Sequence, residues 1–361
     1  MKRKTGKARQ GNRFAERLAA FAAKVAERKL DAAAVFGQSD IRALTDVDCD
    51  NACLLVRPSG EPVFYTDFRY VPAVERLAPW LKVGDIRKLD GAKPFKGRGT
   101  PFAKMGFESS VSHAKFLRLQ KAFPGAEFAD VLEDLKALRS VKTEWEQDRL
   151  RDSERLNDEI WAEARSKFKA GMTEREMARI IKHLMIDRGE GEAFETIVCV
   201  GKNAAECHHV PDDTVWDGRE PVLVDMGVKL AGYCSDMTRN IVPDRPSRLY
   251  KKVYSLVLEA NMRAIAAAKP GMTCGELDAV ARGFLKRNGF GKAFGHSLGH
   301  GVGIDIHEAP AAAKKQKTVL KPGMSVTIEP GVYLPGNLGV RIEDLVVITE
   351  KGCEVLSSSP K

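Results

Sequence analysis

Two stretches of this chain repeat one another: "GMTEREM" begins at Gly171 and "GMTCGEL" at Gly271, an offset of 100. In each, a threonine is followed three residues later by a glutamate (Thr173 with Glu176, Thr273 with Glu276). That is the pattern of a capping box opening a helix. Glycine-punctuated loops follow at the same offset, with Gly189, Gly191, Ala193 and Phe194 matching Gly289, Gly291, Ala293 and Phe294. Hairpins come next. "PVLVDMG" corresponds to "MSVTIEPG" and "GYCSDM" to "GVRIED", which sets Asp225 against Glu329 and Asp236 against Glu343. Each half is then a helix pair plus a hairpin, with one acid at the end of each arm. A chance match could supply a shared "GMT", but not caps, glycines and all four acids in order. A chain with such a repeat folds as two similar units packed on each other. Packing about a pseudo-twofold axis brings the two hairpins, and with them the four carboxylates, to one place.

Burying an unpaired charge costs several kcal/mol or more, and four carboxylates in one apolar pocket repel strongly. Divalent metal ions supply the compensation. The next candidate ligand is His300 in "HSLGHGVGIDIHEAP". Gly299, Gly301 and Gly303 around it let the backbone approach closely while the imidazole points at a metal. Four carboxylates and one histidine suit manganese or cobalt ahead of zinc, whose thiolate sites look different. Two of the acids are able to bridge, so two metals can share the set, and such sites activate a water between them. His208 in "NAAECHHVPDD" and His307 in "DIHEAP" stand 99 residues apart, close to the repeat offset. An imidazole at either place can hold a carbonyl oxygen or steady a tetrahedral oxyanion. His209 and His296 are left open between an ordinary surface position and a place in the site.

The 361 residues suffice for two domains. Residues 14–142 read as a mixed α/β domain. It has a helix over 14–30, a strand at 32–36, a hairpin over 52–66 turning at Pro58-Ser59-Gly60, and helices around 68–78 and 112–122. Thr143 with Glu146 is a third capping box and marks the start of the second domain, 143–361. Residues 1–13 carry Lys2, Arg3, Lys4, Lys7, Arg9 and Arg13 with no acid and contribute to a net charge of +9. This stretch is expected to be a solubilising arm without fixed structure rather than a nucleic-acid contact. No apolar run approaches the roughly 20 residues of a membrane span, and "LAAFAA" before Lys24 is too short for a secretory segment. Seven irregularly spaced cysteines argue for free thiols in a reducing, cytoplasmic compartment. Cys234, two residues before Asp236, shares its strand face and is expected to pack as a small apolar side chain.

The string "VDMG…YCSDMTR…HSLGHGVGIDIHE…TIEPGVY…GVRIED" resembles the metal-dependent Xaa-Pro peptidases of the pita-bread fold, with their relatives creatinase and methionine aminopeptidase. The likeness runs from about residue 143 to 356. "GQSDIRALT", "YTDFRY" and "MGFESSVSHAKFLRL" resemble the creatinase-type N-terminal domain. The resemblance implies an α+β chain: a C-terminal pita-bread domain with an internal pseudo-twofold repeat, preceded by a smaller α/β creatinase-like domain. It implies that Asp225 chelates one metal, His300 and Glu329 the other, and that Asp236 and Glu343 bridge both. A bridging water would be the nucleophile and Glu329 its proton acceptor. His208 and His307 would contact the substrate near the scissile bond, and Arg341 would reach a free carboxylate in a dipeptide substrate. A homodimer and a proline-containing peptide substrate are implied as well. The complete ligand set argues against a metal-free creatinase-like hydrolase. It argues equally against a non-catalytic relative that binds protein or nucleic acid through the basic arm. Aminopeptidase and dipeptidase are not separated by these motifs, since "GVRIED" suits both.

Overall fold

A computed structural model describes residues 5–89 and 102–361, with side chains described from residue 14 onward. The chain divides into two compact units, 1–139 and 140–361. The first unit carries helices α1 (Thr5–Glu27), α2 (Gln38–Thr45), α3 (Val71–Leu77), α4 (His113–Ala122) and α5 (Leu132–Ser140). Its strands are β1 (Ala32–Val35), β2 (Ala52–Val56), β3 (Val63–Thr66), β4 (Lys82–Asp85), β5 (Lys104–Phe107) and β6 (Glu127–Asp130). They form one sheet in the order β4-β3-β2-β1-β5-β6. β1 runs antiparallel to β2 and parallel to β5, so the sheet is mixed.

The central strand shows why the unit is layered. All four residues of β1 are buried, and successive side chains of a strand point to opposite faces. Ala33 and Val35 pack with Leu18, Phe21 and Val25 of α1 on one face. Ala32 and Ala34 meet Leu119 and Ala122 of α4 on the other. The β2–β3 hairpin lies where the 52–66 pattern places it. Of the basic arm, residues 1–4 lie outside the described residues, but α1 begins at Thr5. Part of the stretch expected to lack structure is therefore helical in its backbone. No proline interrupts residues 5–13, and elongating a helix already formed over 14–27 is far easier than nucleating one.

The second unit repeats one arrangement twice. α6 (Glu144–Lys167) and α7 (Glu174–Arg188) precede β7 (Ile197–Val200), β8 (Val222–Met226), the short β9 (Lys229–Leu230) and β10 (Tyr233–Cys234), and β11 (Met237–Ile241). α8 (Arg248–Ala267) and α9 (Cys274–Arg287) precede β12 (Gly299–Gly301), β13 (Glu308–Ala312), β14 (Ser325–Ile328), β15 (Gly331–Leu334), β16 (Leu338–Arg341), β17 (Asp344–Ile348) and β18 (Cys353–Val355). The three capping boxes at Thr143, Thr173 and Thr273 all close. α6 and α7 cover β8 and β11 through Ile160, Ile181, Met185, Val222, Val224 and Met237. α8 and α9 cover β14 and β17 through Val257, Leu277, Val326, Ile328 and Val346.

Two fully buried asparagines tie each long helix to its hairpin. Asn157 Nδ2 donates to the Met226 carbonyl at 3.0 Å, and Asn261 Nδ2 to the Ile328 carbonyl at 2.9 Å. Both carbonyls adjoin one of the acids, so these bonds hold the strand ends from which Asp225 and Glu329 project. Among the described residues no helix is long and apolar enough to cross a membrane.

Candidate metal centre

Asp225 stands in β8 opposite Thr238 of β11, and Asp236 immediately precedes β11. Glu329 follows β14 and Glu343 precedes β17, flanking the Ile328–Asp344 pair. The two hairpins are joined at Thr238. Its Oγ1 donates to Glu343 Oε2 at 2.6 Å and accepts from Arg341 Nε at 2.9 Å, while its carbonyl accepts from Glu343 N at 3.3 Å. The repeat thus brings both pairs of acids to one seam. Donor atoms of Asp236, His300 and Glu343 all lie within 4.8 Å of one another. His300 Nε2 is 3.5 Å from both Asp236 Oδ2 and Glu329 Oε1.

His300 is seated by its glycines. A Cβ on Gly299 would strike the Thr327 carbonyl, and one on Gly301 the Ala309 carbonyl. The backbone can approach these neighbours only without side chains. Thr327 Oγ1 accepts from His300 N at 3.0 Å, and Nδ1 donates to the Gly301 carbonyl at 3.1 Å. Burial, reinforced by His307, pushes the imidazole down to about 4, so the ring is neutral near pH 7. With Nδ1 carrying the proton, Nε2 presents a bare lone pair to the acids, the state a metal ligand needs.

The acids themselves are in electrostatic conflict. Burial and then the charges of Glu343, Asp225 and Glu329 hold Asp236 well above the usual carboxylate range. Glu343 is raised likewise by burial, Glu329 and Asp225. Burial pushes Glu329 up to about 8, with Asp225 adding to it and Arg341 opposing. Arg341 supplies one positive charge against four carboxylates, through Nη2 to Asp225 Oδ2 at 2.6 Å. Asp225 Oδ1 is buried and has no hydrogen-bond partner. An orphaned carboxylate oxygen, a bare imidazole nitrogen and surplus negative charge make a donor set that fits hard or borderline divalent cations. Beneath it, Glu154 is fully buried and accepts from Asp236 N at 3.0 Å and from Ser357 Oγ at 2.8 Å, which fixes the start of β11.

The histidines divide into distinct situations. His307 is exposed, with its ring centroid 4.2 Å from that of His300. The adjoining Glu308 is held by the buried Lys142 at 2.9 Å and accepts from Asp305 N at 3.0 Å, which tightens the turn that presents His307. His208 is exposed. His209 instead turns inward, with Nε2 donating to Glu174 Oε2 at 2.7 Å. His296, left open by the sequence, lies beside the acids: Nδ1 is 3.9 Å from Glu329 Oε2, and Nε2 is 2.9 Å from the Tyr333 hydroxyl. Burial, then Arg341, pushes His296 down to about 4. Arg341 Nη1 donates to that same Tyr333 hydroxyl at 2.8 Å, so the phenol proton faces His296 Nε2. Thr238, Tyr333 and the two asparagines were not singled out by sequence reading. Only Asn157 and Asn261, 104 residues apart and thus near the repeat offset, carried a signal that could have found them. Cys234 is buried, its thiol donating to the Ile304 carbonyl at 3.4 Å, and packs as expected.

Comparison with known proteins agrees with this geometry. The model of metallopeptidase family M24 matches residues 148–350, and that of the creatinase/prolidase N-terminal domain matches residues 17–141. An Xaa-Pro dipeptidase of Pyrococcus furiosus is 40% identical over 258 residues, 71% of this chain and 74% of that protein. The crystal structure of the prolidase from Pyrococcus horikoshii superposes with a TM-score of 0.89 at 30% identity, over 96% of this chain and 99% of the other. The X-Pro aminopeptidase of Thermotoga maritima gives a TM-score of 0.82 at 31% identity, over 92% and 96%. An internally repeated α+β unit with four acids and a histidine at its seam, matched over most of its length by that family, leaves one assignment: the chain is a metallo-exopeptidase of family M24 with a creatinase/prolidase-type N-terminal domain, homologous to the Xaa-Pro dipeptidases.

Proposed function

We propose that this enzyme hydrolyses the bond between an N-terminal residue and a following proline, in Xaa-Pro dipeptides and at the start of short peptides. The observation that carries the reading is the donor set itself: Asp236, Glu343 and His300 within 4.8 Å, Glu329 3.5 Å from His300, and Asp225 with an unpartnered buried oxygen. Proline has no N–H and restricts the residue before it, so this bond needs a dedicated enzyme. The dipeptidase and aminopeptidase relatives support that substrate class.

In this reading Asp225, Asp236, His300, Glu329 and Glu343 hold two divalent cations, manganese or cobalt ahead of zinc. When bound, such cations supply charge neutralisation and an activated water as nucleophile. Glu329 would be the proton acceptor for that water. His307 and His208 donate hydrogen bonds to the scissile carbonyl oxygen as charge develops on it. Arg341 was expected to meet the carboxylate of a dipeptide. Its Nε, Nη1 and Nη2 donate to Thr238, Tyr333 and Asp225, which favours a role in holding Asp225 instead. A homodimer belongs to the same reading, and seven free cysteines support a reducing compartment.

The test is to strip the protein with a chelator and reload it with manganese, cobalt or zinc. It is then assayed against Gly-Pro, Ala-Pro-Ala and a longer Xaa-Pro peptide. Cleavage of any Xaa-Pro bond that is lost on stripping and returns on loading supports the reading, and preference among the three separates dipeptidase from aminopeptidase. Cleavage of peptides lacking proline at equal rate contradicts it.

A further inference from the structure

We infer that Glu174 is a positioning residue: its carboxylate fixes the loop that presents His208. The inference rests on the proposed role of His208 at the scissile carbonyl. Glu174 is the first residue of α7 and is fully buried. Four donors, one from the last residue of β7 and three from the segment between β7 and β8, converge on it. Oε1 accepts from Val200 N at 2.6 Å and from Asn203 Nδ2 at 2.9 Å. Oε2 accepts from His209 Nε2 at 2.7 Å and from Asp212 N at 3.1 Å. These donors bracket His208 on both sides, and the segment between them has only a short 3-10 helix (Gly201–Ala205) for regular structure. Such a loop lacks a ladder to satisfy its backbone, so buried side chains must do it. One carboxylate ties down both ends and the neighbouring imidazole, while His208 itself stays exposed.

The internal repeat supplies a control. Helix α9 starts with the same capping box, and its first residue, the counterpart of Glu174, is Cys274. The backbone contacts around the two positions agree closely. Glu174 N donates to the Thr214 carbonyl at 3.0 Å and Cys274 N to the Thr318 carbonyl at 2.9 Å. Thr173 bridges Val215 as Thr273 bridges Val319. Neither the helix start nor the strand contact therefore needs an acid here. The acid is present only in the half whose adjoining loop carries His208. Glu174, His209 and Asp212 also have the spacing of a metal triad. Both oxygens of Glu174 already accept two hydrogen bonds each, so the cluster is filled by the protein's own donors.

Metal-loaded Glu174→Gln, His208→Ala and the double variant are compared on an Xaa-Pro dipeptide, with hydrogen exchange followed over residues 200–214. Glu174→Gln should speed exchange in that segment and lower kcat by about 10²-fold, the cost of a displacement on the order of 1 Å at a reacting group. KM should change little, and the double variant should be no slower than His208→Ala alone. His209→Ala removes one donor and leaves the other three. It should loosen residues 206–212 and lower kcat less, and it keeps the test alive if Glu174→Gln does not fold. Unchanged exchange in both variants overturns the inference, as does a full additional loss from Glu174→Gln in the His208→Ala background. A wild-type rate in His208→Ala alone is a separate outcome. It removes His208 from the proposed mechanism and leaves the exchange result to decide the anchoring.

Discussion

Arg341 and Asp225 form an ion pair at 2.6 Å across the seam between the two hairpins, with side chains only 4% and 13% exposed. The pair occupies Asp225 Oδ2 and leaves Oδ1 buried and unpartnered. The guanidinium also donates to Thr238 and Tyr333, so one planar fork sets the direction of Asp225 relative to both hairpins. Lysine can carry the charge but not this fork. Arg341→Lys should therefore weaken metal binding by about 10–100-fold, the usual cost of losing an outer partner of a metal ligand. Equilibrium dialysis against manganese reads this directly, and wild-type affinity would show that the fork is not needed.

Asp236 is buried between Glu343, Asp225 and Glu329, and its backbone is pinned by Glu154. Asp236→Asn keeps the shape and removes the charge. A neutral amide is a weaker cation ligand than a carboxylate, so the variant should lose most of its activity and bind fewer equivalents of metal. Because one source of repulsion goes, the metal-free form should melt no lower than the wild type. Near wild-type rate and stoichiometry would make Asp236 a structural residue.

His307→Ala should lower kcat by about 10²–10³, the typical loss of one donor to a developing oxyanion. Metal content should stay intact, since His300 rather than His307 faces Asp236 and Glu329. A variant that loses a metal ion would place His307 among the ligands, and one with full turnover would move the oxyanion role to His208.

The hairpins and their acids were legible because the repeat spans them. Once Asp225 is set against Glu329 and Asp236 against Glu343, the packing of two like halves does the rest. His300 was legible from its glycines, which the Thr327 and Ala309 carbonyls require. Arg341 was legible only as a charge near the site. Its pairing with Asp225 depends on how β16 lies against β8, and no spacing encodes that. His296 and His209 could not be told apart by type, because one meets Tyr333 and the other Glu174 only through long-range packing. The helical backbone of residues 5–13 was missed because net charge says little about a stretch continuous with an amphipathic helix.

Glu108 in the first unit offers a pH test that involves none of the proposed metal ligands. Burial raises its carboxyl from 4.5 to about 7, opposed by the Phe36 and Gly37 amides that it accepts. Its second oxygen is buried without a partner. A carboxyl whose folded-state value is raised contributes stability that is fully present below pH 4.5. That contribution is lost as the pH rises to about 7, because the unfolded chain ionises first. Glu108→Gln has no charge to bury, so its stability relative to wild type should rise across that window. Denaturant melts of both proteins over the range check this, and a constant difference would remove Glu108 from the account.

Under the proposed function, the four acids and His300 hold two divalent cations that make this chain an Xaa-Pro peptidase. The most direct measurement is a manganese titration of chelator-stripped protein, with bound metal and hydrolysis of an Xaa-Pro dipeptide read on the same samples. Hydrolysis should be negligible in the stripped protein, binding should saturate at two equivalents per chain, and activity should rise with occupancy. Full hydrolysis by metal-free protein, or saturation with no hydrolysis of any Xaa-Pro peptide, would contradict it.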